Sequence, residues 1–384
     1  LIYGIARAGG ISVPINYRAK PSEIEFLLND CEASVVVVGE DYRKTILSIK
    51  ANINYQIKLV SFENNAFTEK WIPFSDILKQ TDCLLPKIDS KDHAIILYTS
   101  GTTGRAKGVL LTHQSLVGKL LDNSFPDIEN SEVVLLSMPL YHIAGIHILL
   151  ASIYEGRKLV IQRQFHPVEW LEIIGKHKIS RSTLVPTMLK MILEEDFFKE
   201  ANLSSLQMIT YGAAVMPLKV ITTAINKLPQ VSFINAFGQT ESGSTIAALT
   251  PEDHKLTGSS ADLEKKLHRL SSIGRPLEGI EVRIYSNESI MPSGQIGEIL
   301  VRSEQIMDRY WNDNTSSSLI IEDGWLHTGD MGYVDEDGYI FLQGRLKDFI
   351  KRGGERISPN EIESVLLQHT YVDEAAVIGK PDNH

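Results

Sequence analysis

The sequence predicts an α/β protein: a large domain of mostly parallel β-sheets flanked by helices, a small antiparallel β unit after it, and the opening of a further unit. Three observations predict this. From Ala33 to Asn235, apolar runs of strand length alternate with segments of helical period, the pattern of βα units whose parallel sheet is covered on both faces. After about Ile273 the strands shorten and are separated by turn chemistry, "NESIMPSG" and "DEDG", which predicts a small antiparallel barrel or sheet. After Lys347, "SPNEIESVLLQH" carries its own helix start, with Ser358 as cap, Pro359 at the first helical position and Glu361 completing a capping box.

Taken in order, "ASVVVVG" reads as a buried strand and "DYRKTILSIKANI" as a helix. "HAIILYT" is a strand, and "THQSLVGKLLDN" is a helix with Thr112 as its cap. "EVVLLSM" and "RKLVIQR" are strands around the helix "IAGIHILLASIY". Val133 to Tyr154 is the most apolar stretch, but His142, His147, Pro139 and Gly145 interrupt it. A membrane span needs about 20 predominantly apolar residues, so it reads as a buried strand, a turn and a buried helix, with no membrane span. "HPVEWLEIIGKH" is helical and "RSTLVP" a strand; "SLQMITYG", "PLKVITTAINKL" and "QVSFINA" continue as strand, helix, strand. "EVRIYS", "GEILVRS" and "YIFLQGR" are the short strands of the second unit. In parallel sheets ligands collect at the carboxyl ends of strands.

Composition narrows the function. Of 384 residues, 43% are hydrophobic, an ordinary globular share. Lys and Arg total 38 against 48 Asp and Glu, a net charge of -10. That argues against a general nucleic-acid partner, which needs a basic surface. It leaves room for a small phosphorylated ligand, which needs only a local positive site. Two cysteines, Cys31 and Cys83, make neither a disulfide scaffold nor a zinc site, so a reducing, cytoplasmic compartment is expected. The chain starts at Leu1 and stops at "GKPDNH", and is expected to be cut from something longer.

The loop from Thr99 to Lys107 follows a buried strand. Gly101 and Gly104 let backbone N–H groups turn toward an anion without Cβ obstruction. Thr99, Ser100, Thr102 and Thr103 add hydroxyls, and Lys107 adds a point charge. A polyphosphate suits such a concavity. The loop is not a Walker A sequence, because Ala106 and Gly108 flank the lysine. Nor is it a dinucleotide fingerprint.

"YTSGTTGRAKGV" resembles the signature loop of the adenylate-forming enzymes: acyl-CoA synthetases, aryl-CoA ligases, firefly luciferase and peptide-synthetase adenylation domains. One position departs, Ala106, where the family usually has proline. "MPLYHIAG", "YGAAVMP", "NAFGQTES", "GWLHTGD" and "GRLKDFIKRGGERISPNEIE" look like successive family motifs in the expected order, and "GIARAGGISVPIN" like an early segment. The resemblance implies that residues 1–346 are the large N-terminal domain without its first part, with 273–346 as a small antiparallel β-barrel subdomain. It implies that 347–384 begin a truncated α+β C-terminal lid domain.

The resemblance also implies roles. Lys107 and the loop hold phosphates, Phe237 stacks on adenine, Thr240 contacts the α-phosphate, and Glu241 helps hold Mg²⁺. Asp330 takes the ribose hydroxyls, and Arg345 makes a second ribose and phosphate contact. Gly212 and Ala213 lie at the substrate-carboxylate end, Ala213 also beside the nucleotide, and Gly238 is similarly placed. His142 sits beside the acyl tunnel and the CoA channel. Lys347 is at the hinge, and Lys351 enters the site in the lid's second orientation. Taken alone, Phe237 would read as core, Glu241, Arg345, Lys347 and Lys351 as surface charges, and Asp330 as a turn residue.

The implied reaction uses ATP, Mg²⁺ and CoA: a carboxylic acid, foremost a fatty acid, becomes acyl-AMP with release of pyrophosphate, and the acyl group then passes to CoA. Alternatives are an acyl-AMP ligase loading a carrier protein, an o-succinylbenzoate or aryl-acid CoA ligase and, in a different class, a non-catalytic nucleotide-binding module. The family's adenylation lysine lies beyond the end of this chain, so slow acyl-AMP formation is expected of the fragment. The acyl chain length is not legible, and a homodimer is left open.

Overall fold

The computed structural model describes residues 1–63, 71–79, 85–99, 105–121, 132–352, 355–367, 369, 371–372 and 375–380. They form two compact units, Leu1–His113 with Asp308–Asn314, and Gln114–Met307 with Thr315–His384.

In the first unit, the helix Pro21–Cys31 opens on a proline, whose missing N–H would be unpaired there anyway. The strands Val35–Val38 and Lys58–Ser61 pair in parallel across the helix Glu40–Ile49. Leu28, Ile46, Ile49, Leu59 and Trp71 fill the core beside them. The strand His93–Thr99 then differs from a βα unit. It pairs antiparallel with a second strand, Lys107–Thr112, placing Thr99 opposite Lys107. The reason lies in the run Val109, Leu110 and Leu111, each with no exposed surface. Three consecutive apolar residues buried on both faces make a central strand, and Arg309–Tyr310 pairs along its other edge.

The second unit is built on a seven-stranded sheet. Its spatial order is Arg275–Pro276, Thr245–Leu249, Ser232–Gly238, Met208–Gly212, Arg181–Leu184, Val133–Leu136 and Lys158–Ile161. The last five run parallel; Thr245–Leu249 turns back antiparallel on Ser232–Gly238. The helices Ile143–Tyr154, Pro167–His177 and Leu218–Lys227 stand where their periodicity predicts. A further helix, Pro186–Glu194, was not anticipated, because Pro186 reads equally as a strand end; here it is the first helical residue. The core gathers Leu135, Trp170, Ile174, Leu184, Ile209, Tyr211 and Phe233. The buried Trp170 indole is satisfied by donating to Ser182 Oγ at 3.1 Å.

A six-stranded antiparallel sheet follows, ordered Ser289–Ile290, Glu281–Ser286, Gly297–Arg302, Trp325–Val334 and Ile321–Glu322, with Ile340–Arg345 also pairing with the long strand Trp325–Val334. Ile284, Ile299, Val301 and Ile340 alternate onto its buried face. Beyond it, the Ser358 hydroxyl accepts the Glu361 N–H and caps the helix Pro359–Leu366. Among the described residues no helix is long and apolar enough to cross a membrane.

Candidate functional site

The site is built at the carboxyl ends of two neighbouring parallel strands. The strand Met208–Gly212 ends beside Ser232–Gly238, with Gly212 in register with Ala236. A Cβ on Gly212 would meet the Ala236 carbonyl oxygen at 2.1 Å, and one on Gly238 the Ser244 carbonyl oxygen at 2.1 Å. Neither position tolerates a side chain, so backbone packs on backbone where the strands end. Ala213 follows with φ +65, a left-handed conformation costing a residue with a Cβ on the order of 1 kcal/mol.

The turn from Gly238 to Ser244 carries Gln239, Thr240 and Glu241, all half-buried. Ser242 stabilises it from within: its hydroxyl accepts the Gln239 N–H at 2.9 Å and donates to the Ser244 carbonyl at 2.8 Å. Gly243 N–H donates to Thr240 O at 3.0 Å. From outside, His147 of the helix Ile143–Tyr154 places Nε2 2.6 Å from the Gly243 carbonyl, and Met307 N–H donates to Glu241 O at 2.8 Å. These bonds brace the turn from within and from two neighbouring segments.

Across from it, Asp330 and Arg345 are paired residues on adjacent antiparallel strands. Asp330 is 6% exposed. Arg345 Nε lies 3.1 Å from its Oδ1, and Gln239 Nε2 donates to its Oδ2 at 2.6 Å and to Thr328 O at 3.0 Å. Gln239 therefore ties the turn to the Asp330 strand. Burial is the largest influence on the Asp330 carboxyl and raises its pKa; Arg345 and Gln239 lower it, and the nearby Glu241 charge raises it. Among the described residues each oxygen has one protein donor, and a carboxylate offers about four lone-pair directions. Acceptor capacity for two hydroxyl donors remains.

The sequence-predicted residues fall as follows. Phe237, Gly238, Thr240, Glu241, Asp330 and Arg345 belong to the second unit, where the Gln239 bridge links the turn to the Asp330–Arg345 pair. Gly212 and Ala213 end the adjoining strand. Thr99 and Lys107 belong to the first unit, where Lys107 Nζ lies 3.7 Å from Asp313 and 4.9 Å above the Tyr310 ring. Ser100, Gly101, Thr102, Thr103 and Gly104 lie outside the described residues. His142 immediately precedes the helix Ile143–Tyr154 with its ring 4.4 Å from that of Tyr141, and desolvation lowers its pKa, leaving the imidazole neutral at pH 7. Lys347 follows the strand Ile340–Arg345, and Lys351 lies in the strand Ile350–Arg352. Sequence reasoning missed the parts played by Gln239, Thr328 and His147. Gln239 stands inside a quoted motif, but its bond to Asp330 depends on strand register that no local pattern encodes.

A basic hollow of about 360 Å³ lined by Thr257, Gly258, Asp262, Lys265, Lys266 and Arg269 is a weaker candidate. Lys265 and Arg269 both pair with Asp337, and Lys266 donates to the Lys255 and Thr257 carbonyls. Its cations are already spent on the protein. Among the described residues no three His, Cys, Asp or Glu side chains cluster closely enough to hold a metal ion.

Residues 1–311 match the family model described as AMP-binding enzyme. Over 388 residues, covering 99% of this chain and 72% of the relative, the sequence is 31% identical to indoleacetate–CoA ligase of Aromatoleum aromaticum. It is 30% identical to a fatty acid–[acyl-carrier-protein] ligase of Streptomyces coeruleorubidus, covering 100% of this chain and 72% of that one. The fold superposes on o-succinylbenzoate coenzyme A synthetase from Bacillus subtilis, solved in complex with ATP and magnesium ion, with a TM-score of 0.82 at 27% identity, covering 100% of this chain and 74% of that chain.

Proposed function

The chain belongs to the AMP-binding enzyme family, and from that premise we propose that it is an ATP-dependent acid–CoA ligase acting on a fatty or small organic acid. The observation that carries the reading is the buried Asp330 carboxylate, braced by Arg345 and Gln239 at the mouth of the turn that ends a parallel strand. This suits the two hydroxyls of a ribose, with Phe237 offering a ring face to the base.

In the reaction, a substrate carboxylate oxygen forms a bond to the α-phosphorus of ATP while the bond to pyrophosphate breaks. The thiol of CoA then attacks the acyl carbonyl, loses its proton and displaces AMP. The first step brings anion to anion, so cationic and hydrogen-bonding groups supply much of the rate. Lys107, the loop hydroxyls from Thr99 to Thr103 and Thr240 take that part. Arg345 keeps its remaining guanidinium N–H groups for phosphate oxygens. Glu241 would be the protein ligand for Mg²⁺, an ion that binds through one or two carboxylates plus substrate phosphates and needs no all-protein cage. When bound, Mg²⁺ neutralises triphosphate charge. Lys347 is the pivot at which residues 347–384 begin a lid, and Lys351 belongs to that moving part. Gly212 and Gly238 let the strand ends pack closely beneath the place where the acyl carboxylate would lie, with Ala213 beside them, and the neutral His142 stands at the acyl and thiol entrance.

The test is a panel of carboxylic acids with ATP and Mg²⁺, scoring pyrophosphate release and thioester formation with CoA or with a phosphopantetheinyl carrier protein. Acid-dependent pyrophosphate together with acyl-CoA supports the reading. Thioester on the carrier alone transfers it to carrier loading, and no acid-dependent pyrophosphate with any acid rejects it.

A further inference from the structure

The strand that carries Asp330 is irregular at that residue. His327 pairs with Leu300 and Met331 with Glu298, so four steps along one strand span two on its partner. The surplus forms a bulge at Thr328, Gly329 and Asp330, with Gly329 at φ +70. Bulges of this kind re-aim a side chain. This one has its polar groups tied on several sides. Thr328 Oγ1 donates to Ile299 O at 2.7 Å and accepts the Asp330 N–H at 3.1 Å. Gly329 O accepts the Leu346 N–H at 2.8 Å.

The remaining tie is a carboxylate that the proposed chemistry does not use. Glu298 is largely buried, its side chain 15% exposed. Its Oε1 accepts the Gly329 N–H at 3.0 Å, and its Oε2 lies 2.9 Å from His327 Nδ1. One side chain thus grips the residues on both sides of Thr328 through two charge-assisted bonds. His327 is itself steadied, with Nε2 3.7 Å from Glu322 and its ring edge-on to Tyr285. Without Glu298, the Gly329 N–H would lose its partner, and the cheapest remedy is to flatten the bulge and swing Asp330 out of line.

We propose that Glu298 is a positioning residue for nucleotide recognition: by holding Gly329 and His327 it fixes the bulge that aims Asp330 at the ribose hydroxyls. It touches no substrate and acts only through Asp330, so the inference rests on the ribose role given to Asp330 above.

The test measures calorimetric affinity for ATP and for 2′,3′-dideoxyATP, with the acid-activation rate at saturating ATP as a second readout. Wild type favours ATP. Glu298→Ala loses about tenfold of that preference, the worth of roughly one or two hydrogen bonds, while its saturated rate stays within about threefold, because the loss lies in binding geometry. Glu298→Gln keeps an oxygen for the Gly329 N–H and retains most of the preference. Should Glu298→Ala melt below assay temperature, Glu298→Asp replaces it, since it keeps the charge but is one methylene too short to reach Gly329, and the same loss is expected. Wild-type preference in either shortened variant, or equal weakening toward both nucleotides, overturns the inference. Asp330→Ala separates the two ideas. If it binds ATP as tightly as wild type, the ribose reading falls and the inference with it; if it loses preference while the Glu298 variants keep theirs, only the inference falls.

Discussion

At Asp330, burial and charge pull in opposite directions. A carboxyl 6% exposed is costly to ionise unless donors surround it, and Arg345 and Gln239 offset only part of that cost, leaving its pKa raised. Hydroxyl donors from a ligand would relieve the rest. Replacing Asp330 by Ala is expected to weaken nucleotide binding by about 1.5–3 kcal/mol, the range for bonds to a charged group; an unchanged calorimetric ATP affinity would remove the residue from the site. The raised pKa gives a pH dependence with a definite sign. Protonation removes both charge and acceptor capacity, so the affinity advantage of wild type over Asp330→Asn shrinks as pH falls, starting above the value of about 3.9 for an exposed aspartate. An advantage that stays constant down to the acid limit of folding would contradict the burial argument.

The elements beneath the site are tied by a second buried titratable group. His254 closes the short turn Pro251–His254 against the strand Met208–Gly212, with Nε2 2.9 Å from the Tyr211 hydroxyl and Nδ1 2.7 Å from Thr250 O. A carbonyl can only accept, so Nδ1 carries the proton and Nε2 accepts from Tyr211. Burial pushes the His254 pKa down from 6.5 to about 4. Below pH 6.5 the unfolded chain takes up a proton that the folded one refuses, so stability is lost as pH falls from 6.5 toward about 4, on the order of 3 kcal/mol in all. Urea denaturation between pH 7 and pH 5 should show this slope in wild type and a flatter one in His254→Gln; equal slopes would mean that His254 is not held neutral. How much of this level was legible depends on the range of the signal. The helix Ile143–Tyr154 and the strand His93–Thr99 coincide with the segments read from periodicity, because burial pattern is local information. The strand Lys107–Thr112 and the helix Pro186–Glu194 were not read, since an apolar run after a glycine-rich loop and a proline after a strand each suit two continuations. The bonds from Gln239 and Glu298 toward the Asp330 bulge join positions some 90 and 30 residues apart in the chain; only strand register brings them together, and register is set by the assembled sheet.

For the whole molecule, a net charge of -10 opposes the approach of polyanionic substrates, so affinity has to come from the local site. A non-hydrolysable acyl-sulfamoyl adenosine, which offers base, ribose and acyl group at once, should raise the melting temperature more than ATP or AMP at equal concentration. A ligand at 100 times its Kd adds about 2.7 kcal/mol of stability. A larger response to AMP would indicate a nucleotide-binding module without an acyl site. The two strand ends at Gly212 and Gly238, where a carbonyl oxygen already stands 2.1 Å from any added Cβ, also bear on how such a protein can diverge. Peptide groups have no side chain to exchange, so mutation cannot remodel that base plate. On the proposed placement of the acyl group there, a lineage that shifts to a bulkier or longer acid must do so through other side chains, and this surface passes unchanged from one specificity to the next.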